Sequence, residues 1–331
     1  MDSSSIFTAL SSSVLAFLIS FYVVPLMMRA AVSLNILDRP DQNLKRHREP
    51  TPYLGGMAIF LALLFSLSLI LKLDAFSSAF FLGAAMIVTI GFVDDMKALS
   101  PKLKFFLQFL TVFVVIRGGV HITIAILPLW ANYLLTFLWL LTIINAFNFL
   151  DIMDGLAATI GLASLAPLLL FSALQGNDSL LCLSSSFFGA LLGFLPYNFP
   201  RAKIFLGDSG SMLIGYTVGV LCFALDYTAK TDLGLLNPLI ILMVPLLEIT
   251  TTSLRRIFLK IPPWRGSPHH LSYFYRDRMG PFATVIFLGT LTLLAGTAAL
   301  LNSLALSRST LLLLGFVLLS AALAALLKRR V

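Results

Sequence analysis

Four groups of polar residues interrupt an otherwise oily chain, and their types and spacing suit the handling of phosphate and a divalent cation. Asp94-Asp95 closes one apolar run, and Asn145, Asn148, Asp151 and Asp154 follow in three-residue steps. Asp208 stands inside Gly207-Asp208-Ser209-Gly210-Ser211, and His269-His270 lies in a basic stretch. Adjacent carboxylates repel unless a cation or proton sits between them. Magnesium takes oxygen ligands, typically one or two carboxylates together with substrate phosphate. Lys97, Lys102 and Lys104, just past the acidic pair, are placed to meet the remaining phosphate charge. A solvated helix end with snorkelling lysines would account for the same segment.

The Asn/Asp series reads as a helix running into a turn. Residues three apart on an α-helix stay within roughly 60° of one another, and four such steps smear over half the surface. The helix is therefore expected to end near 151–155. Two amides and two acids can bind metal, ribose or a uracil edge, while helix–helix hydrogen bonding is the structural alternative. Around Asp208, glycines let backbone amides approach an anion at a helix start; a capping Asp or Ser explains the same letters. His47, His269 and His270 could hold phosphate or steady leaving-group charge, although a loop histidine more often does neither.

These residues must be positioned by membrane helices. The chain has 331 residues, 59% hydrophobic and only 11% charged, against roughly a quarter charged in soluble domains. Its mean hydropathy is +0.96. Spans need about 17–25 residues, and eleven are expected: 6–28, 54–72, 76–93, 103–120, 129–149, 156–174, 179–197, 210–227, 236–254, 282–302 and 309–327. Arg117-Gly118-Gly119 should end the fourth early. The fold expected is all-α, one polytopic membrane domain over 1–331 with its largest loop at 255–281. No repeat or heptad is visible. Cys182 and Cys222 lie in apolar segments without metal-ligand spacing and read as small buried residues. The N-terminus lacks a basic segment and a cleavage site, so 6–28 reads as a retained span.

Charge sets the orientation. Of 23 lysines and arginines, all but Lys72, Arg117, Lys230 and Arg308 fall in alternate loops on one side, which should be cytoplasmic. The N-terminus is then outside and the C-terminus cytoplasmic. The net charge of +8 follows from this sorting and gives no reason to expect a nucleic-acid partner. All the acidic groups share the cytoplasmic side, and acids at the edge of hydrocarbon are costly and usually functional. A secondary transporter would place acids near mid-span and show internal symmetry, and the sequence has neither.

Taken in order, the motifs resemble the polyprenyl-phosphate N-acetylhexosamine-1-phosphate transferase family (glycosyltransferase family 4), whose branches include the WecA/TagO type and MraY. The resemblance rests on Asp38-Arg39-Pro40 with His47, Pro52-Tyr53-Leu54-Gly55-Gly56, Gly91 to Asp95, Leu99 to Lys104, Asn145 to Ala157, and Gly207 to Ser211, over roughly residues 38–280. It implies transfer of a sugar-1-phosphate from a UDP-sugar to polyprenyl phosphate, releasing UMP with Mg²⁺, for which Mn²⁺ could substitute. It implies metal ligation by Asp208, Asp94, Asp95 and Asn148. Catalytic roles would fall to Asp94, Asp95, Asp151, Asp154 and His270. Substrate contacts would fall to Arg48, Lys104, Asn145, Asn148 and His269. It further implies an inner (plasma) membrane enzyme with a cytoplasmic active site, and admits a homodimer that no sequence feature demands. The chain departs from the family's His-x-His-His pattern, with Tyr273 where a later histidine is expected. That departure and the short loops favour a WecA/TagO-type reaction on UDP-GlcNAc over the alternative, an MraY-type transfer of phospho-MurNAc-pentapeptide.

Overall fold

The computed structural model describes residues 3–39, 50–70, 74–228, 232–262 and 268–304. The expected span at 309–327 and the residues His47 and Arg48 lie outside them. The described chain is almost wholly helical: α1 Ser3–Ser33, α2 Gly55–Ser68, α3 Ala75–Met96, α4 Pro101–Arg117, α5 Leu129–Leu150, α6 Leu156–Leu174, α7 Asp178–Asn198, α8 Gly207–Ala224, α9 Asn237–Ile241, α10 Met243–Phe258, α11 Leu271–Met279 and α12 Pro281–Ser303. A two-residue antiparallel pair, Leu37–Asp38 with Thr51–Pro52, closes the segment between α1 and α2.

Local signals explain most of these boundaries. Asp74 and Ser77 form a reciprocal capping box that starts α3. Ser100 caps α4 with Pro101 at its first position, where the missing N–H costs nothing. Gly155, at φ +72°, supplies the left-handed turn from α5 into α6. By length and composition α1, α3, α5, α6, α7 and α12 can each cross a membrane. A seventh candidate joins residues 234–241 to α10 but is bent by 66°, so in place of the expected span at 236–254 there is a helix pair with the form of a broken span or a re-entrant loop. The expected spans at 54–72 and 103–120 are shorter helices of 14 and 17 residues, and the one at 210–227 is a helix of 18 residues that begins three residues earlier. The fourth does end at Arg117. Residues 271–279, expected as loop, form α11.

α8 is the axis of the bundle. Every residue from Ser209 to Cys222 is buried, as for a helix enclosed on all sides. It packs against α2, α3, α5 and α6. Tyr216 stacks on Phe80 of α3 at 5.4 Å and donates to the Phe80 carbonyl at 3.0 Å. α1 lies along α7, where a Cβ at Gly189 would fall 2.1 Å from the Ser13 carbonyl oxygen. Small residues at helix crossings of this kind let backbones touch in lipid.

Backbones also approach closely at the first turn of α8. A Cβ at Gly56 would lie 2.1 Å from the Gly210 nitrogen, and one at Gly91 2.3 Å from the Ser209 nitrogen. Both obstacles are backbone, so no side chain can give way. Gly56→Ala and Gly91→Ala are each expected to lower stability by about 1–3 kcal/mol. Thermal unfolding in detergent checks this, and unchanged midpoints would show that the helices are not in contact there.

Candidate active site

Four helix ends meet where the acidic motifs converge: the last turns of α3 and α5 and the first turns of α4 and α8. The Lys104 ammonium lies between two carboxylates, 2.8 Å from Asp94 Oδ2 and in short contact with Asp208 Oδ2. The other Asp94 oxygen accepts from the Leu99 amide at 2.6 Å, which fixes the turn leading to Lys104. Asn148 donates from Nδ2 to Asp208 Oδ1 at 2.8 Å and to Ser211 Oγ at 3.1 Å. Residues from four separate motifs thus form one hydrogen-bonded group.

Asp95 does something different from its neighbour. Its carboxylate accepts from the backbone amides of Asp208 (2.8 Å) and Ser209 (3.3 Å). It therefore caps α8 from another helix, meeting two of the amide donors that a helix start leaves unpaired. Gly207 makes room for it: at φ +73°, a Cβ there would sit 2.6 Å from Asp95 Oδ2. The strand before α2 braces the same turn. Phe205 N donates to the Pro52 carbonyl (2.8 Å), and Gly55 and Gly56 donate to the carbonyls of Phe205 and Leu206. Burial first, then a hydrogen bond to Asp38 and the charges of Asp38, Asp95 and Asp208, push the Tyr53 phenol up and keep it protonated.

The loops beside this group hold Asp151 and Asp154. Burial, followed by the charges of Asp208, Asp95 and Asp154, pushes the Asp151 carboxyl well above the usual carboxylate range. Asp154 is exposed and accepts from the Ala202 amide at 3.0 Å. The sequence reading missed Asn198, which accepts from the Gly155 amide (2.9 Å) and donates to the Ile204 carbonyl (2.9 Å). It ties the α5–α6 turn to the α7–α8 loop. A polar residue at the end of an apolar run was the available signal.

Three expected site residues stand apart from the acidic group. Asn145 donates to Gln108 Oε1 (2.9 Å) and to the Leu141 carbonyl (2.7 Å), and Gln108 in turn reaches Met212 Sδ at 3.1 Å. This is an interhelical hydrogen bond of the kind the sequence left open. His270 is buried against α10: Nδ1 lies 2.9 Å from Glu248 Oε1 and Nε2 3.3 Å from Arg256 Nη2. His269, beside it, is half-buried.

The donor set at Asp94 and Asp208 is hard oxygen, in the number magnesium takes beside substrate phosphate. Among the described residues no three His, Cys, Asp or Glu side chains gather closely enough to enclose an ion. Asp95 is engaged with the α8 backbone and Asn148 turns its amide nitrogen to Asp208. Toward the opposite ends of α3, α5 and α8 lies a cavity of about 740 Å³, mostly apolar, lined by Phe76, His121, Leu138, Thr142, Tyr227 and Leu246 among others.

A polytopic helical membrane protein with acids, amide and lysine converging at helix ends is the setting of a phosphoryl-transferring enzyme. Residues 77–226, which hold most of this site, match the family model described as Glycosyl transferase family 4. A Bacillus subtilis (strain 168) protein named "Probable undecaprenyl-phosphate N-acetylglucosaminyl 1-phosphate transferase" is 33% identical over 273 residues, 78% of this chain and 76% of that one. An undecaprenyl-phosphate alpha-N-acetylglucosaminyl 1-phosphate transferase of Thermotoga maritima is 31% identical over 84% of this chain and 85% of its own. The same-named protein of Salmonella typhi is 26% identical over 80% and 76%. The chain belongs to glycosyl transferase family 4, whose members here are sugar-phosphate transferases.

Asp95→Ala removes both acceptors at the start of α8 and is expected to cost about 1–2 kcal/mol of stability. Asp95→Asn, which keeps one acceptor, should cost less. Thermal unfolding without substrates checks this; equal losses would mean that the cap is not what Asp95 contributes.

Proposed function

We propose that this protein transfers GlcNAc-1-phosphate from UDP-GlcNAc to a polyprenyl phosphate, giving a lipid pyrophosphoryl sugar and UMP. The observation that carries this reading is Lys104 between Asp94 and Asp208, with Asn148 completing the group from a fourth motif. A phosphate oxygen of the lipid attacks the β-phosphorus of the nucleotide sugar. The bond from that phosphorus to the bridging oxygen breaks, and the electron pair leaves with UMP. The lipid phosphate is ionised near neutral pH, so no strong base is required.

The residues' work is then positioning and charge stabilisation. Lys104 meets negative charge on the transferring phosphoryl group, and Asn148 keeps the Asp208 carboxylate in one orientation. Asp208 and Asp94 would hold Mg²⁺, which when bound polarises the diphosphate oxygens. Asp95 acts on the reaction by seating the α8 turn that carries Asp208. Asp151 and Asp154 lie beside the group and are proposed to contact the nucleotide, as are Arg48 and His269. The sorting of basic loops supports a cytoplasmic site in an inner membrane, an external N-terminus and eleven spans in the full chain.

The 740 Å³ cavity is proposed to take part of the isoprenoid tail, because its lining is largely apolar and it lies along the helices that end at the acidic group.

Two measurements test these assignments. Asp208→Ala is expected to lower Mg²⁺-dependent UMP release by about two orders of magnitude or more in purified, folded protein. Full activity would remove Asp208 from the metal site, and turnover of UDP-MurNAc-pentapeptide in place of UDP-GlcNAc would overturn the substrate. Thr142→Trp should raise KM for undecaprenyl phosphate severalfold and leave KM for UDP-GlcNAc within about twofold. An unchanged lipid KM would place the tail elsewhere.

A further inference from the structure

Glu248 is a carboxylate on a helix in an apolar bundle, only 2% exposed, and the chemistry above gives it no role. A buried charge of this kind persists only when its oxygens are fully hydrogen-bonded. Here they are. Oε1 accepts from Thr252 Oγ1 (3.2 Å) and from the Leu271 amide (3.2 Å) and lies 2.9 Å from His270 Nδ1, while Oε2 accepts from the Ser272 amide at 2.9 Å. Leu271 and Ser272 open α11, so Glu248 caps that helix from α10, across 23 residues of chain.

The partners also assign the histidine's proton. An ionised carboxylate only accepts and a guanidinium only donates. With Glu248 at Nδ1 and Arg256 at Nε2, His270 must carry its hydrogen on Nδ1 and accept at Nε2. It is held as the neutral Nδ1–H tautomer, linking a buried anion to a buried cation. Arg256, itself 2% exposed, lies over the Phe149 ring at 4.7 Å, and the His270 ring meets the same phenyl edge-on at 5.8 Å. Phe149 follows Asn148 directly, and Tyr273 of α11 donates to the Ile152 carbonyl at 3.4 Å.

We propose that Glu248 is a positioning residue for the transferase site. It fixes the tautomer of His270 and caps α11, and through both it clamps residues 268–279 against the end of α5 that carries Asn148 and Asp151. Acting through His270 is the distinctive part, and the kinetic side of the proposal rests on the reaction proposed above.

The experiment compares Glu248→Gln, His270→Leu and the double variant in detergent-purified full-length protein. Two readouts are taken: kinetics with UDP-GlcNAc and undecaprenyl phosphate, and the rate of trypsin cleavage at Arg276 and Arg278. Glu248→Gln should raise KM for UDP-GlcNAc at least fivefold, which a loss of folded protein alone would not do. It should lower kcat/KM at least tenfold in the wild-type background and less than threefold when His270 is already Leu. Cleavage should quicken at least tenfold with Glu248→Gln, whether or not the protein turns over this substrate. Equal kinetic losses in both backgrounds, or an unchanged KM, would overturn action through His270. Unchanged cleavage would overturn the clamp itself. A wild-type protein inactive on UDP-GlcNAc would overturn the reaction and leave the cleavage rates, compared across the three variants, to decide the clamp.

Discussion

The start of α8 sits in the middle of the bundle, and the rest of the site is arranged around making that tolerable. A helix N-terminus leaves backbone amides without partners, and in an apolar interior each costs several kcal/mol if unmet. Here the same turn also carries a carboxylate, Asp208. Asp95 answers the first problem from α3 by accepting from the amides of Asp208 and Ser209, and Lys104 answers the second from α4. Both answers require the backbones to come very close. Gly56, Gly91 and Gly207 are the positions where a side chain would prevent it.

This gives the family-like motifs a division of labour that their letters do not display. Asp94 and Asp95 are adjacent, yet successive residues on a helix point about 100° apart. One faces Lys104 and the phosphate site, and the other faces the backbone of α8. Glycines beside the acids serve close packing and need no ligand to explain them. Asn198 and Asp154 hold the two flanking loops together, so hydrogen bonds within the protein brace the loops beside the acidic group.

Much of this was legible in the chain. Runs of apolar residues placed α5, α6, α7 and α12 within about two residues of their observed ends, because a membrane helix satisfies its own backbone and its length is set by the bilayer. The gathering of Asp94, Lys104, Asn148 and Asp208 was also foreseen, through their motifs. Part of what escaped was local: the break at Leu242 comes three residues before Pro245, whose missing N–H and ring disfavour continuing the preceding helix. The rest was non-local: α11 lies in a polar loop whose cap, Glu248, comes from another helix. Asn145 has the spacing of a site residue, but its partner Gln108 lies 37 residues earlier, and no periodicity could reveal the pair.

The charge balance at the site favours an added cation in the proposed reaction. Asp94, Asp95 and Asp208 converge, and among the described residues one ammonium, that of Lys104, lies between Asp94 and Asp208. Both substrates proposed for the site are anions, so bringing them together adds to an excess of negative charge. In the proposed reaction Asp94 and Asp208 would hold a divalent cation, which would offset this charge, and Lys104 would meet the transferring phosphoryl group. The acids are held by hydrogen bonds from backbone amides and from Asn148, between helices that approach closely at glycines, whereas Lys104 is held by charge at the end of a flexible side chain.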